Sequence, residues 1–411
     1  MSTSNFTQTQ LEIRTAIQSL CTSFPDHYWR SHDTEAKDPS TFHSALAAGG
    51  WLGIALPTCY GGSGLGISEA TMMMQTISES GAGMAGAQAV HGNVYATQPL
   101  VRHGSAEMCE SLVPRIVKGE VRVCFGVTEP GSGLDTLGLR TRAVREGDEY
   151  VISGEKVWIT AAQVAGVMML LARTGDGDSD GGKSIGKDDG GKKRSHGLSL
   201  LCIPLDRANP ALEIRRIRKM GGRAVDANQV FFDKYRVPAS SLIGAENHGF
   251  KIILQGMNAE RCLLAGEALG LGYCALSRAA EYARTREVFN RPIGMNQGIA
   301  HPLADAYMAL EAAKLATYHA AQLYDESQQE GSTVTHDEVG VAANSAKYLA
   351  AEAAFRACER AVLTHGGMGY AEEYDVERWF RESLVPRIAP VSREMILNYV
   401  GEKVLGLPRS Y

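Results

Sequence analysis

Three rhythms of apolar and polar positions follow one another along the chain. Up to residue 121 apolar residues recur at helical spacing, at Ile13, Ile17 and Leu20 and again at Phe42 and Leu46, and Gly49-Gly50 and the loop from Pro57 to Gly66 interrupt them. This spacing predicts short helices. From 122 to 240 the period shortens to β-branched and aromatic runs, RVCFGVT, LRTRAV, YVISGEKVWIT, VMMLLA, GLSLLCIP, LEIRRI and NQVFFDKYRV, bounded by turn signals such as Glu146-Gly147-Asp148. These predict a compact antiparallel sheet. From 241 to 411 the helical period returns. Cys262, Gly266, Leu269, Tyr273, Leu276, Ala280 and Ala283 make one stripe, and Ala304 to Leu323 and Ala342 to Leu363 are equally Ala-rich and amphipathic, which predicts an up-and-down bundle.

The order helices, sheet, helices is an α+β arrangement in three domains, 1–121, 122–240 and 241–411, and not an alternating α/β fold. Inside the sheet region the polar, glycine-rich stretch from Gly175 to Gly197 lacks the apolar residues to pack and reads as a mobile loop. No strand-turn-helix pattern surrounds its Gly-Gly-Lys steps, so a phosphate loop is not expected there. The chain has 411 residues, 44% of them apolar, enough for more than one core. Its 41 basic and 46 acidic residues are interspersed and leave a net charge of -5, which gives no footprint for nucleic acid or an anionic membrane. No apolar run is long enough to insert in a membrane, and MSTSNFTQTQ lacks a basic leader, so a cytoplasmic protein is expected. The eight cysteines include no C-x-x-C pair and suit reduced thiols. His91, His103 and His365 show no metal-ligand spacing; each is expected to be packed or capping, and no metal site is expected.

The stretch NAERCLLAGEALG sets Glu260 and Arg261 at the head of an apolar, small-residue helix. A carboxylate there is costly to desolvate. It is either a satisfied Glu-Arg pair or helix end, or a general base whose proton affinity burial raises. Glu267 falls on the same face and is the reserve candidate. Four further pieces carry chemistry. VTEPGSGLD, from Val127 to Asp135, offers glycines for close backbone approach and the Thr128 hydroxyl. KVWIT offers Trp158 as a stacking surface and Thr160 as a hydrogen-bond donor. Arg286 to Gln297, REVFNRPIGMNQ, ends a helix with a cation, a ring and an amide suited to a diphosphate. HGGMGYAEEYDVERWFRE, from His365 to Glu382, opens with glycines and runs into a charged helix.

In this order the four pieces resemble the acyl-CoA dehydrogenase family over nearly the whole chain. VTEPGSGLD is similar to the family's first signature and the region 365–382 to its second, with R-x-x-F-x-x-P-I-x-x-x-Q between them. The resemblance implies a helical N-terminal domain, an antiparallel β middle domain, a C-terminal four-helix bundle and FAD as cofactor. Phe125, Val127, Thr128, Gly133 and Leu134 would line FAD, with Trp158 and Thr160 at the isoalloxazine and Ser392 also at the cofactor. Arg286, Phe289, Gln297, Gly366 and Gly367 would reach the FAD of a neighbouring subunit, so the resemblance implies a homo-oligomer, dimer or tetramer. The implied reaction is α,β-dehydrogenation of an acyl-CoA to a trans-2-enoyl-CoA, with electrons passing on to an electron-transferring flavoprotein.

In much of this family the base is a Glu in an I-x-E-G-T element near the C-terminus. Here that segment is RIAPVSREM, and Pro390 stands at the Glu position with neither a carboxylate nor an N–H. A smaller group, isovaleryl-CoA dehydrogenases among it, carries the base within E-R-x-x-L-A-G. ERCLLAG matches, so the resemblance implies Glu260 as base, Arg261 as a CoA-side contact, and Leu134, Pro390 and Val391 beside the substrate. Glu394 is expected outside the site. Three residues depart from the family pattern: Leu134 where Ser or Thr is usual, Leu363 at the start of the second signature, and Pro390, which leaves thioester polarisation to another N–H or to the flavin ribityl hydroxyl. The alternatives are an acyl-CoA oxidase, other flavin chemistry on this fold, or a degenerate homologue that binds FAD and acyl-CoA without turnover.

Overall fold

The computed structural model describes residues 3, 5–175 and 196–409. The stretch expected as a mobile loop, 175–197, lies outside them apart from its ends. The first helical rhythm becomes α1 (Gln8–Cys21), α2 (Asp26–Glu35), α3 (Ser40–Ala48), α4 (Ile67–Ile77), α5 (Gly83–Tyr95), α6 (Gln98–His103) and α7 (Ala106–Val117). Thr7 opens α1 with a capping box: its hydroxyl accepts from the Gln10 N–H, and the Gln10 side chain accepts from the Thr7 N–H. Between α4 and α5 the chain kinks through Gly81 (φ 103) and Gly83 (φ 64), left-handed positions that a side chain resists. That kink sets the direction in which α5 packs on the long helix described below.

The sheet rhythm becomes β1 (Val123–Gly126), β2 (Arg142–Glu146), β3 (Glu149–Thr160), β4 (Val167–Arg173), β5 (Leu198–Pro204), β6 (Leu212–Arg216), β7 (Ala227–Pro238) and β8 (Leu242–Ile243). They form one sheet in the order β6-β7-β3-β2-β4-β5-β8, with β1 also on β4. Most pairs are antiparallel as expected, but β1 and β2 both run parallel to β4. The register gives the reason. Residues 123–126 pair with 167–170, and Arg142 pairs with Arg173 further along β4. The chain leaves that edge of β4 after β1 and returns to it at β2, and the excursion between them, 127–141, carries VTEPGSGLD.

The last rhythm becomes α8 (Gly249–Thr285), the small hairpin β9 (Glu287–Val288) and β10 (Arg291–Pro292), α9 (Gln297–Ser327), α10 (His336–His365), and the short helices α11 (Val376–Glu382), α12 (Val385–Ile388) and α13 (Arg393–Lys403). The three long helices pack on one another, and α13 lies against α10. Small residues let α8 approach α4 closely: a Cβ at Gly270 would sit 2.1 Å from the Gln75 carbonyl oxygen, and one at Gly266 2.8 Å from that of Thr71. Asp325 of α9 caps α4 in trans, accepting from the N–H groups of Ile67 (2.7 Å) and Ser68 (2.8 Å). No helix among the described residues is long and apolar enough to cross a membrane.

Candidate active site

A cavity of ≈ 580 Å³ opens where α5, the first half of α8, the end of β3, the 127–136 excursion and the segment 385–399 meet. It brings together Phe125, Val127, Thr128, Gly133, Leu134, Trp158, Thr160, Glu260, Arg261, Pro390 and Val391. Residues from three regions of the sequence thus line one cavity.

One edge of this cavity is built by a buried ion pair. Lys156, wholly buried on β3, donates to the Val127 carbonyl (2.9 Å) and to Glu129 (2.8 Å), and Glu129 also accepts from the N–H groups of Arg140 (2.6 Å) and Thr141 (2.9 Å). Burial pulls the Lys156 ammonium down to about 8 despite the carboxylate beside it; burial alone would raise Glu129, but Lys156 outweighs it and holds the carboxyl below its ordinary range. The pair is ionised at neutral pH. With Val157 N–H donating to the Thr128 carbonyl at 2.9 Å, both ends of the excursion are latched to β3. At its tip Gly131 and Gly133 face open space.

Beside the tip, the register of β3 against β7 shifts between Lys156 and Ile159. Trp158 falls in this irregularity with φ 61, and its ring is 58% exposed although it sits in the sheet domain. A bulky residue holds that conformation only where the surroundings impose it, at a cost on the order of 1–3 kcal/mol. Uncovered glycine backbone, a presented indole and the Thr160 hydroxyl fit a flat aromatic cofactor with polar edges, and the exposed Leu134 side chain supplies an apolar cover.

The opposite wall holds the carboxylates. Glu260 faces the cavity with 15% of its side chain exposed. Its neighbour Arg261 donates from Nη1 to the Asn258 side chain (2.7 Å), while its buried Nε has no hydrogen-bond partner among the described residues. Burial lowers the Arg261 pKa, partly offset by Glu260. Glu267, one face-repeat further along α8, is fully buried; its Oε1 lies 2.5 Å from His91 Nδ1. Nε2 of the same imidazole lies 3.9 Å from Glu260 Oε1. Lys347 of α10 donates to the Val391 carbonyl (2.6 Å) and fixes the segment that carries Pro390.

The remaining expected residues lie elsewhere. Arg286, Phe289, Gln297, Gly366 and Gly367 are exposed, Phe289 at 93%, and none lines this cavity. Ser392 N-caps α13, its hydroxyl accepting from the Met395 N–H at 3.3 Å. Glu394 is 69% exposed beside Arg393. His365 is packed, stacked on Tyr282 at 4.2 Å, and His103 bonds Gln255 at 2.8 Å, but His91 is neither merely packed nor a cap: it belongs to the cavity. Lys156, Glu129 and His91 escaped the sequence reading. The signals that would have found them are a Lys inside an apolar strand and a His four residues before Tyr95 on an otherwise small-residue helix.

Models of the acyl-CoA dehydrogenase N-terminal, middle and C-terminal domains match residues 7–120, 124–235 and 247–405. Acyl-CoA dehydrogenase FadE12 of Mycobacterium tuberculosis is 34% identical over 402 residues, 97% of this chain and 96% of its own length. Mitochondrial isovaleryl-CoA dehydrogenase of Pongo abelii is 29% identical over 368 residues, 89% of this chain and 81% of its own. Among solved structures, butyryl-CoA dehydrogenase from Megasphaera elsdenii superposes with a TM-score of 0.86 at 26% identity, covering 98% of this chain and 100% of that one.

Proposed function

The chain belongs to the acyl-CoA dehydrogenase family, a class of FAD-dependent oxidoreductases, and from that premise we propose that it converts an acyl-CoA to a trans-2-enoyl-CoA with Glu260 as base. The observation that carries this reading is the placing of the Glu260 carboxylate across a single cavity from Trp158, Thr160 and Leu134. Pro390 lines the same cavity and has no carboxylate to offer. Glu260 takes the proton α to the thioester carbonyl. When bound, FAD supplies the acceptor for the hydride that leaves the β carbon.

Thr128, Gly133, Leu134, Trp158 and Thr160 would hold the flavin, while Ser392, outside the cavity lining, caps α13 behind Val391 in sequence. Leu264 and Ile253 bound the acyl group with apolar surface and keep water from the α carbon. Arg261 sits beside Glu260 with an unpaired buried Nε, a donor for the thioester end of the substrate. The exposed Arg286, Phe289, Gln297, Gly366 and Gly367 complete the flavin site of a second copy of the chain, which makes the working unit a dimer or tetramer. An electron-transferring flavoprotein takes the electrons onward.

Anaerobic mixing of the yellow holoenzyme with a panel of straight and branched acyl-CoAs tests this. At least one thioester bleaches the flavin and yields its trans-2-enoyl product; a flavin unchanged by the whole panel sinks the reading. Comparing reoxidation by dioxygen with reoxidation by a flavoprotein acceptor separates a dehydrogenase from an oxidase on the same fold.

A further inference from the structure

Resting on Glu260 as the base, we infer that His91, clamped by Glu267, is a positioning residue that keeps the Glu260 carboxylate turned into the cavity. Three groups from two helices make the arrangement. Glu260 and Glu267 recur on one face of α8, and the His91 ring from α5 stands between them, 2.5 Å from Glu267 Oε1 through Nδ1 and 3.9 Å from Glu260 Oε1 through Nε2. Glu267 is wholly buried and its Oε2 has no partner among the described residues, so the carboxylate depends on the imidazole for its neutralisation. The Nε2 distance is too long for a hydrogen bond and short enough for one charge to govern the other.

The sign of the ring's charge follows from its surroundings. Burial pulls the His91 pKa down most strongly, yet Glu267 and Glu260 together override it and hold it at about 10, so the ring is an imidazolium throughout the neutral range. Other groups face this cluster. Tyr95, on α5 with its ring 4.6 Å from that of His91, is held well above its ordinary value by burial and stays a neutral phenol, and burial likewise keeps Cys124 of β1 a neutral thiol. From α8, Arg261 is turned to Asn258. From α10, Lys347 donates to Val391 and is lowered to about 8 by burial and by Arg261. His91 is therefore the cation whose ring touches both carboxylates. A cation there fixes which way Glu260 points before substrate arrives.

The pH dependence of kcat/KM for the holoenzyme separates this role from a structural one. His91→Gln removes the ring that orients the base and lowers kcat about tenfold, with KM for the acyl-CoA and flavin content unchanged. Glu267→Gln strips His91 of its counter-ion and brings a new ionisation into the profile near histidine's ordinary value of about 6.5. That ionisation is missing from wild type and from the H91Q/E267Q double variant. A wild-type kcat in H91Q, or no new ionisation in E267Q should H91Q not fold, while Glu260→Gln is inactive, overturns the positioning role and leaves the base standing. Full activity in E260Q would remove the base first and this inference with it.

Discussion

Lys156 shows how a single buried charge can shape the edge of a cavity without lining it. It holds Val127 and Glu129, and Glu129 in turn holds residues 140 and 141, so one ammonium secures both ends of the excursion that presents Gly131 and Gly133. Removing one partner of a buried pair leaves the other charge uncompensated, typically a loss of about 3–5 kcal/mol. Lys156→Met is accordingly expected to lower stability by that order in denaturant unfolding and to release FAD more readily. Unchanged flavin retention in that variant would show that the loop needs no latch. The same separation in sequence explains why the pairing of His91 with Glu267 was not legible beforehand. The two lie 176 residues apart, and only the crossing of α5 over α8 brings them together.

The crossing of α4 and α8 depends on glycines with no room for a side chain. At Gly270 an added Cβ would meet the Gln75 carbonyl at 2.1 Å and the Glu79 nitrogen at 2.9 Å, both backbone atoms that cannot swing aside. Gly270→Ala is therefore expected to cost about 1–3 kcal/mol and to slow flavin bleaching by shifting Glu260 and Glu267 against His91. Gly401 is the control. It is helical, and its Cβ would meet only Leu407 at an ordinary 3.7 Å, so Gly401→Ala raises stability by up to about 1 kcal/mol when both variants are compared with wild type by denaturant unfolding. Element type was readable because periodicity is a local property: the α8 stripe and the β3 run declare themselves in sequence. Strand direction is not local. The parallel placing of β1 and β2 on β4 is decided by where the chain leaves and rejoins one edge, and the alternation within those strands would be the same in either direction.

Across the whole molecule, an ionic seam ties the first helices to the sheet and to the end of the bundle. Asp33 of α2 accepts from the Arg223 N–H (2.7 Å) and from Arg381 of α11 (2.9 Å), Arg381 also donates to the Met220 carbonyl (2.6 Å), and Arg30 pairs with Asp375 (2.8 Å). Glu382 lies fully buried in this seam. Burial raises it to about 7, against the lowering effect of Arg378. Its folded pKa thus stands above the ordinary 4.5, and the folded chain keeps a proton that the unfolded chain has released. Stability contributed by this group is full below about 4.5 and falls as pH rises to about 7, on the order of 3 kcal/mol over the window. Glu382→Gln should flatten that part of the stability profile; an unchanged slope would assign it to other groups. In the proposed function the seam, the latched excursion and the α4–α8 contact all serve to keep the Glu260 carboxylate on the same cavity as the Trp158 indole. The most direct test of that claim is the rate at which an acyl-CoA bleaches the flavin of Glu260→Gln in the absence of oxygen. FAD content and thioester binding at wild-type levels with bleaching slowed by about 10²–10⁴-fold is the predicted result, and bleaching at the wild-type rate would contradict the account.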